Sequence, residues 1–260
     1  MMSAPKKILI TGASRGIGKA IAYEFAKKGY ELYLTCKNNI ELLETLKIDI
    51  ENIPIHNLDN TITNSQKNIE SSGVKCHIFK CDMGDISQVE SLFHSIPELD
   101  VIVNNAGISH VGLLTDMSSE EWHNIMATNV DSLFYTCKYG VPKMLQKHSG
   151  KIINISSVWG NVGASMEVAY SASKGAVNSF TKALAKELAP SNIQVNAIAC
   201  GLMDTEMNAC FSEEDLQYII EEIPADRMGQ PKEVAKLCYM LAEAPEYLTG
   251  QIITLDGGWT

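Results

Sequence analysis

The sequence predicts an α/β fold: a doubly wound sheet of about seven parallel strands with helices on both faces. Short β-branched runs alternate with helix-length segments along the whole chain, the pattern of strand–helix–strand units. Most of these runs are continuously apolar rather than alternating, as strands covered on both faces must be. The chain of 260 residues has no internal repeat and no Pro/Gly/Ser-rich linker, so it reads as a single domain over 1–260.

Seven runs read as strands: KKILIT (6–11), ELYLTC (31–36), KCHIFKC (75–81), LDVIVNNA (99–106), GKIINIS (150–156), IQVNAIA (193–199) and QIITLD (251–256). Between them lie helical patterns such as GKAIAYEFAKKG (18–29) and KGAVNSFTKALAKELA (174–189). One segment breaks the rhythm. Residues 38–73 are rich in Asn and Ile and exceed the length of one crossover helix. They predict a helix, an irregular excursion and a second helix, with a surface insertion around 48–72.

Composition narrows the function. Lys and Arg number 21 against 31 Asp and Glu, a formal charge of −10, which disfavours nucleic acid and other acidic partners. No apolar run approaches the ~18 residues of a membrane span, and the first residues lack a signal-peptide pattern. The expected location is cytoplasmic, with no membrane partner. The seven cysteines form no CxxC pair and their number is odd. Free thiols in a reducing compartment follow, and no metal site is expected.

The first strand runs into TGASRGIG (11–18), with glycines at 12, 16 and 18. A glycine-rich turn after a strand and before a helix is the context of a Rossmann dinucleotide fingerprint. Glycine lets the backbone turn sharply and approach a pyrophosphate, whose charge sits at the helix N-terminus. NAD-selective sites place a carboxylate at the end of the second strand. Here that position is Cys36, followed by Lys37, with Arg15 in the glycine loop. Two cations and no acid favour a 2′-phosphate, hence NADP(H); the competing reading of Lys37 is a solvated surface lysine.

In VAYSASKGA (168–176), Tyr170 stands four residues before Lys174. On a helix starting near 169 the two share one face. A nearby ammonium is expected to lower the phenol's pKa from ~10, which would make Tyr170 an acid/base. Ser156 and Ser157 end the fifth strand, and ligands bind at the carboxyl ends of strands in such sheets. A serine hydroxyl there could polarise a carbonyl.

Together these residues resemble the short-chain dehydrogenase/reductase family. Its shorter branch carries TGxxxGxG, NNAG, a serine and YxxxK in that order, here TGASRGIG (11–18), NNAG (104–107), Ser157 and YSASK (170–174). The resemblance covers the chain except 38–73. It implies that Ser157, Tyr170, Lys174 and Asn129 form the catalytic set, Ser157 orienting the carbonyl and Asn129 holding a water in a proton relay with Lys174. Ser157 and Tyr170 would contact the substrate. It implies cofactor contacts from Gly12, Ser14, Arg15, Gly16, Ile17, Gly18, Lys37, Tyr170 and Lys174. Asp82 and Met83 would flank the adenine; Asn105, Ala106 and Gly107 would line a ribose. Met203 and Thr205 would lie at the nicotinamide, and 203–225 would form a substrate lid. Cys200 replaces a proline usual in the turn after the sixth strand, which puts the rigidity of that turn in question.

Within the family, EEWHNIMATNVDSLF (120–134) and the C-terminal IPADRMGQPKEVAKLCYMLAEAPEYLTGQIITLDGGW (223–259) are most similar to 3-oxoacyl-[acyl-carrier-protein] reductases. That implies NADPH-dependent reduction of a carrier-linked 3-oxoacyl thioester, in fatty-acid biosynthesis, by a homotetramer. Two basic positions that such enzymes use to meet the acidic carrier are His148 and Ser191 here; Lys143, Lys147 and Lys151 are the nearest compensating cations. The alternatives are reduction of a free small ketone, sugar, steroid or CoA thioester, and a non-catalytic dinucleotide sensor. The longer epimerase/dehydratase branch is disfavoured by chain length and loop spacing.

Overall fold

A computed structural model describes residues 4–53 and 73–260. The elements follow in the order β1 (Lys7–Ile10), α1 (Gly16–Lys27), β2 (Glu31–Cys36), α2 (Ile40–Glu51), β3 (Cys76–Lys80), α3 (Ile86–Ser95), β4 (Val101–Asn104) and α4 (Ser119–Met126). A π-helical turn (Ala127–Asp131) joins α4 to α5 (Ser132–Leu145). Then come β5 (Gly150–Ser157), α6 (Trp159–Val162), α7 (Val168–Leu188), β6 (Ile193–Cys200), α8 (Glu213–Glu222), α9 (Pro231–Ala242) and β7 (Ile252–Leu255). The seven strands form one sheet of order β3-β2-β1-β4-β5-β6-β7, with every pairing parallel. No described helix is long and apolar enough to cross a membrane.

The continuous apolar runs are explained by two covered faces. Along β1, Ile8 and Ile10 enter a core with Ile21 and Phe25 of α1, Leu43 of α2 and Val234 of α9. Leu9 points the other way, into a core with Leu92 of α3, Cys137 of α5 and Leu188 of α7. Phe25 is fully buried; burying such a ring is worth about 1.5–3 kcal/mol. The order of strands reverses between β1 and β4, and the crevice opens there, at the carboxyl ends of both.

Of the long segment after β2, the first helix is present as α2. The excursion, the second helix and most of the insertion around 48–72 lie outside the described residues. Strands β5 and β6 each run one residue beyond the apolar runs that predicted them, pairing Ser157 with Cys200. Cys200 therefore does not loosen the turn after β6. Its carbonyl accepts from Val158 N–H at 2.9 Å, and the next residue, Gly201, donates to Leu255 O at 3.0 Å.

Candidate active site

The glycine loop is built against the NNAG segment. Thr11 Oγ1 accepts from the backbone N–H groups of Asn105 and Ala106 at 3.0 Å each. The Asn105 amide donates back to Thr11 O and Gly12 O at 2.9 Å. Asn105 thus fixes the loop with its side chain, a use its motif did not reveal, and Thr11 is a supporting residue that sequence reasoning missed. Gly12 has φ +65, and a Cβ there would meet Ala106 Cα at 3.0 Å. At Gly18 a Cβ would stand 2.4 Å from Gly12 O.

The first turn of α1 has no side-chain cap: its N-cap is Arg15. Its orphan N–H groups suit an anion, and the chemistry of this loop, Gly16, Ile17 and Gly18 with Ser14 beside it, fits a dinucleotide's phosphates. Thr205 lies across the crevice, with Cγ2 at 3.5 Å from where a Gly16 Cβ would stand. Met203 is bridged to Gly229 and buried with the core under α9. Residues 203–225 hold a short 3-10 turn (Glu206–Asn208) and α8.

Both cations expected at a 2′-phosphate are paired. Lys37 Nζ lies 2.8 Å from Asp82 Oδ2; Arg15 Nη1 lies 2.6 Å from Glu206 Oε2. Met83 packs its side chain in the core with Leu9 and Tyr33, so only its backbone is left for an adenine.

At the end of β5 successive side chains part company. The Ser156 hydroxyl donates to Asn178 Oδ1 at 2.6 Å, inside the core. Ser157, one residue on, ends β5, and its hydroxyl acts to favour the Tyr170 anion. Trp159 N–H donates to Ser157 Oγ at 3.2 Å. One turn along α7, the buried Lys174 donates from Nζ to Ile155 O at 2.9 Å and stands 5.5 Å from the centre of the Tyr170 ring.

That geometry corrects the expected titration of Tyr170. Its pKa is raised, first by burial and then by Cys200 and Glu167, while Ser157 pulls the other way. Burial is the larger effect, and the Lys174 Nζ bonds Ile155 O rather than the phenol. Burial also lowers Lys174 itself, to about 8. The Cys200 thiol beside the pair is pushed up to about 12 by burial, so it is not a thiolate.

Asn129, on the π-helical turn, is buried. Its amide donates to Ile108 O and Ser173 Oγ, both at 2.9 Å, and its Oδ1 accepts from Ile108 N–H at 2.9 Å. A Cβ at Gly107 would lie 3.3 Å from Asn129 Oδ1 and 3.5 Å from Lys174 Nζ. The structure therefore brings Asn129, Gly107 and Lys174 together, with the Asn129 side chain holding the chain at Ile108.

A parallel sheet with a phosphate-type loop at its switch point, and a Ser–Tyr–Lys cluster on the neighbouring strand and helix, defines a dinucleotide-dependent oxidoreductase. A family model described as short chain dehydrogenase matches residues 6–216. The chain belongs to this family, whose members use a nicotinamide dinucleotide to act on CH–OH and C=O groups. It is 38% identical over 256 residues to YmfI, an uncharacterised oxidoreductase of Bacillus subtilis, covering 98% of each chain. It is 35% identical to the 3-oxoacyl-[acyl-carrier-protein] reductase FabG of Staphylococcus aureus, covering 99% of each. The crystal structure of a 3-oxoacyl-[acyl-carrier protein] reductase from Brucella melitensis superposes with a TM-score of 0.85 at 30% identity, covering 98% of this chain and 91% of that one.

Proposed function

We propose that the protein is an NADPH-dependent carbonyl reductase, with Ser157 and Tyr170 binding the carbonyl oxygen and Tyr170 as the acid. The observation that carries this reading is the placement of Ser157 at the carboxyl end of β5 beside α7, where Lys174 follows Tyr170 by one turn with its Nζ 5.5 Å from the centre of the Tyr170 ring. A bound nicotinamide supplies the hydride. Ser157 and Tyr170 hold the substrate oxygen, and the phenol proton passes to that oxygen as it gains negative charge. A raised pKa keeps Tyr170 protonated, and so able to donate, throughout the neutral range. Lys174 and Asn129 hold this arrangement from below, through Ile155 and Ile108.

The similarity to FabG nominates a 3-oxoacyl thioester on acyl carrier protein as the first substrate, with fatty-acid synthesis as its setting. Exposed apolar side chains on α5 and α9, Phe134, Leu145 and Met240, suit an assembly such as the homotetramer. The second reading, a ketone not carried by a protein, is favoured by the lysines. Lys147 is bound to Asp100 and Lys151 to Ala244 O, both engaged within the fold rather than offered to an acidic carrier. The test follows NADPH oxidation with acetoacetyl thioesters of carrier protein and of CoA beside a panel of ketones. A large kcat/KM advantage for the carrier thioester selects the first reading; turnover confined to ketones selects the second. In either case Tyr170→Phe should lower kcat by about 10²–10⁴ while the cofactor still binds. Undiminished turnover would remove Tyr170 from the mechanism.

A further inference from the structure

Glu167 stands three residues before Tyr170, immediately ahead of α7. It is the N-cap residue of that helix, yet its side chain makes no capping bond. The carboxylate turns instead to Trp159, whose Nε1–H donates to Oε1 at 3.0 Å. Trp259, from the C-terminal DGGW, packs edge-on against Trp159 with ring centres 4.8 Å apart. Burial raises the Glu167 carboxyl above its ordinary value, and its charge is felt at the Tyr170 phenol.

Among the described residues this acid has no countercharge: none of their ion pairs includes it. A half-buried carboxylate with neither a cation nor a capping role is costly to keep. Its neighbours in the chain, Met166 and Val168, are both exposed apolar side chains. An indole face beside a carboxylate is also a favourable place for an ammonium.

We propose that Glu167 is a specificity residue, and that the substrate is a ketone carrying an ammonium-type cation a short aliphatic stem away from its carbonyl. The carboxylate and the Trp159 ring take the cation while Ser157 and Tyr170 take the carbonyl oxygen. In the reaction the carbonyl carbon gains the hydride from NADPH and its oxygen gains the phenol proton. The products are the alcohol and NADP⁺, and the cation passes through unchanged. This rests on the carbonyl-reductase reading and names its substrate class. A neutral acyl chain would leave Glu167 unmatched.

The test uses two series of methyl ketones with stems of increasing length. One ends in a dimethylammonium group, the other in an isopropyl group of the same shape. The dimethylated amine keeps one N–H and cannot close on the carbonyl as an imine. The wild-type enzyme should prefer the cationic ketone by about 10–100-fold in kcat/KM, the worth of a charge-assisted hydrogen bond. Glu167→Gln keeps an acceptor for Trp159 and removes the charge. Its preference should collapse to within about twofold by the same measure. Calorimetry with the dimethylammonium alcohol and NADP⁺ should show the same loss of affinity. Equal kcat/KM for the two ketones in the wild type, or a preference that survives in Glu167→Gln, overturns the proposal while leaving the reductase intact. Failure to reduce any ketone or thioester would overturn the carbonyl-reductase reading itself, and the proposal with it.

Discussion

The hydroxyls of Ser156 and Ser157 lie on opposite sides of β5, and their loss should be felt in different measurements. Ser156→Ala removes the donor to Asn178 Oδ1 and leaves a buried acceptor short of a partner, a cost of about 1–3 kcal/mol. Melting temperature should fall with kcat nearly unchanged. Ser157→Ala should leave melting nearly unchanged and lower kcat/KM sharply. The reverse pattern would exchange the two roles. Lys174 allows a second prediction at this scale. Its pKa is lowered in the folded chain, to about 8 from 10.5, because burial disfavours the ammonium. Below pH 8 the lysine is charged in both states, and burying it costs on the order of 3 kcal/mol. Between the two values the unfolded chain holds a proton that the folded chain has released, so this cost fades as pH rises. Lys174→Met should therefore melt higher than wild type at pH 7, with the gap narrowing toward pH 10. A gap independent of pH would mean the lysine is not destabilised by burial. The Tyr–Lys spacing was legible in the sequence, but the sign of the Tyr170 shift was not. Burial is a property of the whole packing, and a four-residue spacing says only that two groups are near. Glu167 escaped notice for the same reason: its partner Trp159 and the covering Trp259 are brought together only by the fold.

Among the elements, the loop into α1 depends most on one residue type at one position. A methyl at Gly18 would lie 2.4 Å from Gly12 O and 2.9 Å from Ala13 Cα, both backbone atoms that cannot step aside without moving the loop. Gly18→Ala should cost about 1–3 kcal/mol and weaken dinucleotide binding more than it lowers the melting temperature. Fluorescence titration with NADPH beside a thermal melt separates the two; normal binding would show that the loop can relax. The seven strands were legible because most are continuous apolar runs set off by helix-length segments, a signal local to the strand. The extra residue in β5 and β6 was not, since Ser157 and Cys200 are held by pairing to each other, across more than forty positions of sequence. Nor was the π-helical turn at Ala127–Asp131. It places Asn129 inside the molecule, and its sequence, ATNVD, carries no helix-breaking residue to announce it.

Across the whole molecule the chain carries a net charge of −10, yet its proposed cofactor is an anion. The two cations nearest the expected 2′-phosphate are each held by a carboxylate: Lys37 by Asp82 and Arg15 by Glu206. The second pair ties the glycine loop to the segment after β6, across the crevice. Both are exposed, and exposed pairs are worth about 0–1 kcal/mol. A phosphate with nearly two charges can therefore draw the cations away from their partners at little cost. Because the overall field repels the cofactor, local cations must supply its attraction. Lys37→Ala should raise KM for NADPH by about tenfold, the worth of one charge-assisted contact, and leave KM for NADH where it was. The difference should shrink as salt screens the contact. Equal losses for both cofactors would place Lys37 behind Asp82 as a support for the adenine end. No loss for either would leave cofactor choice to Arg15 and the backbone of the loop.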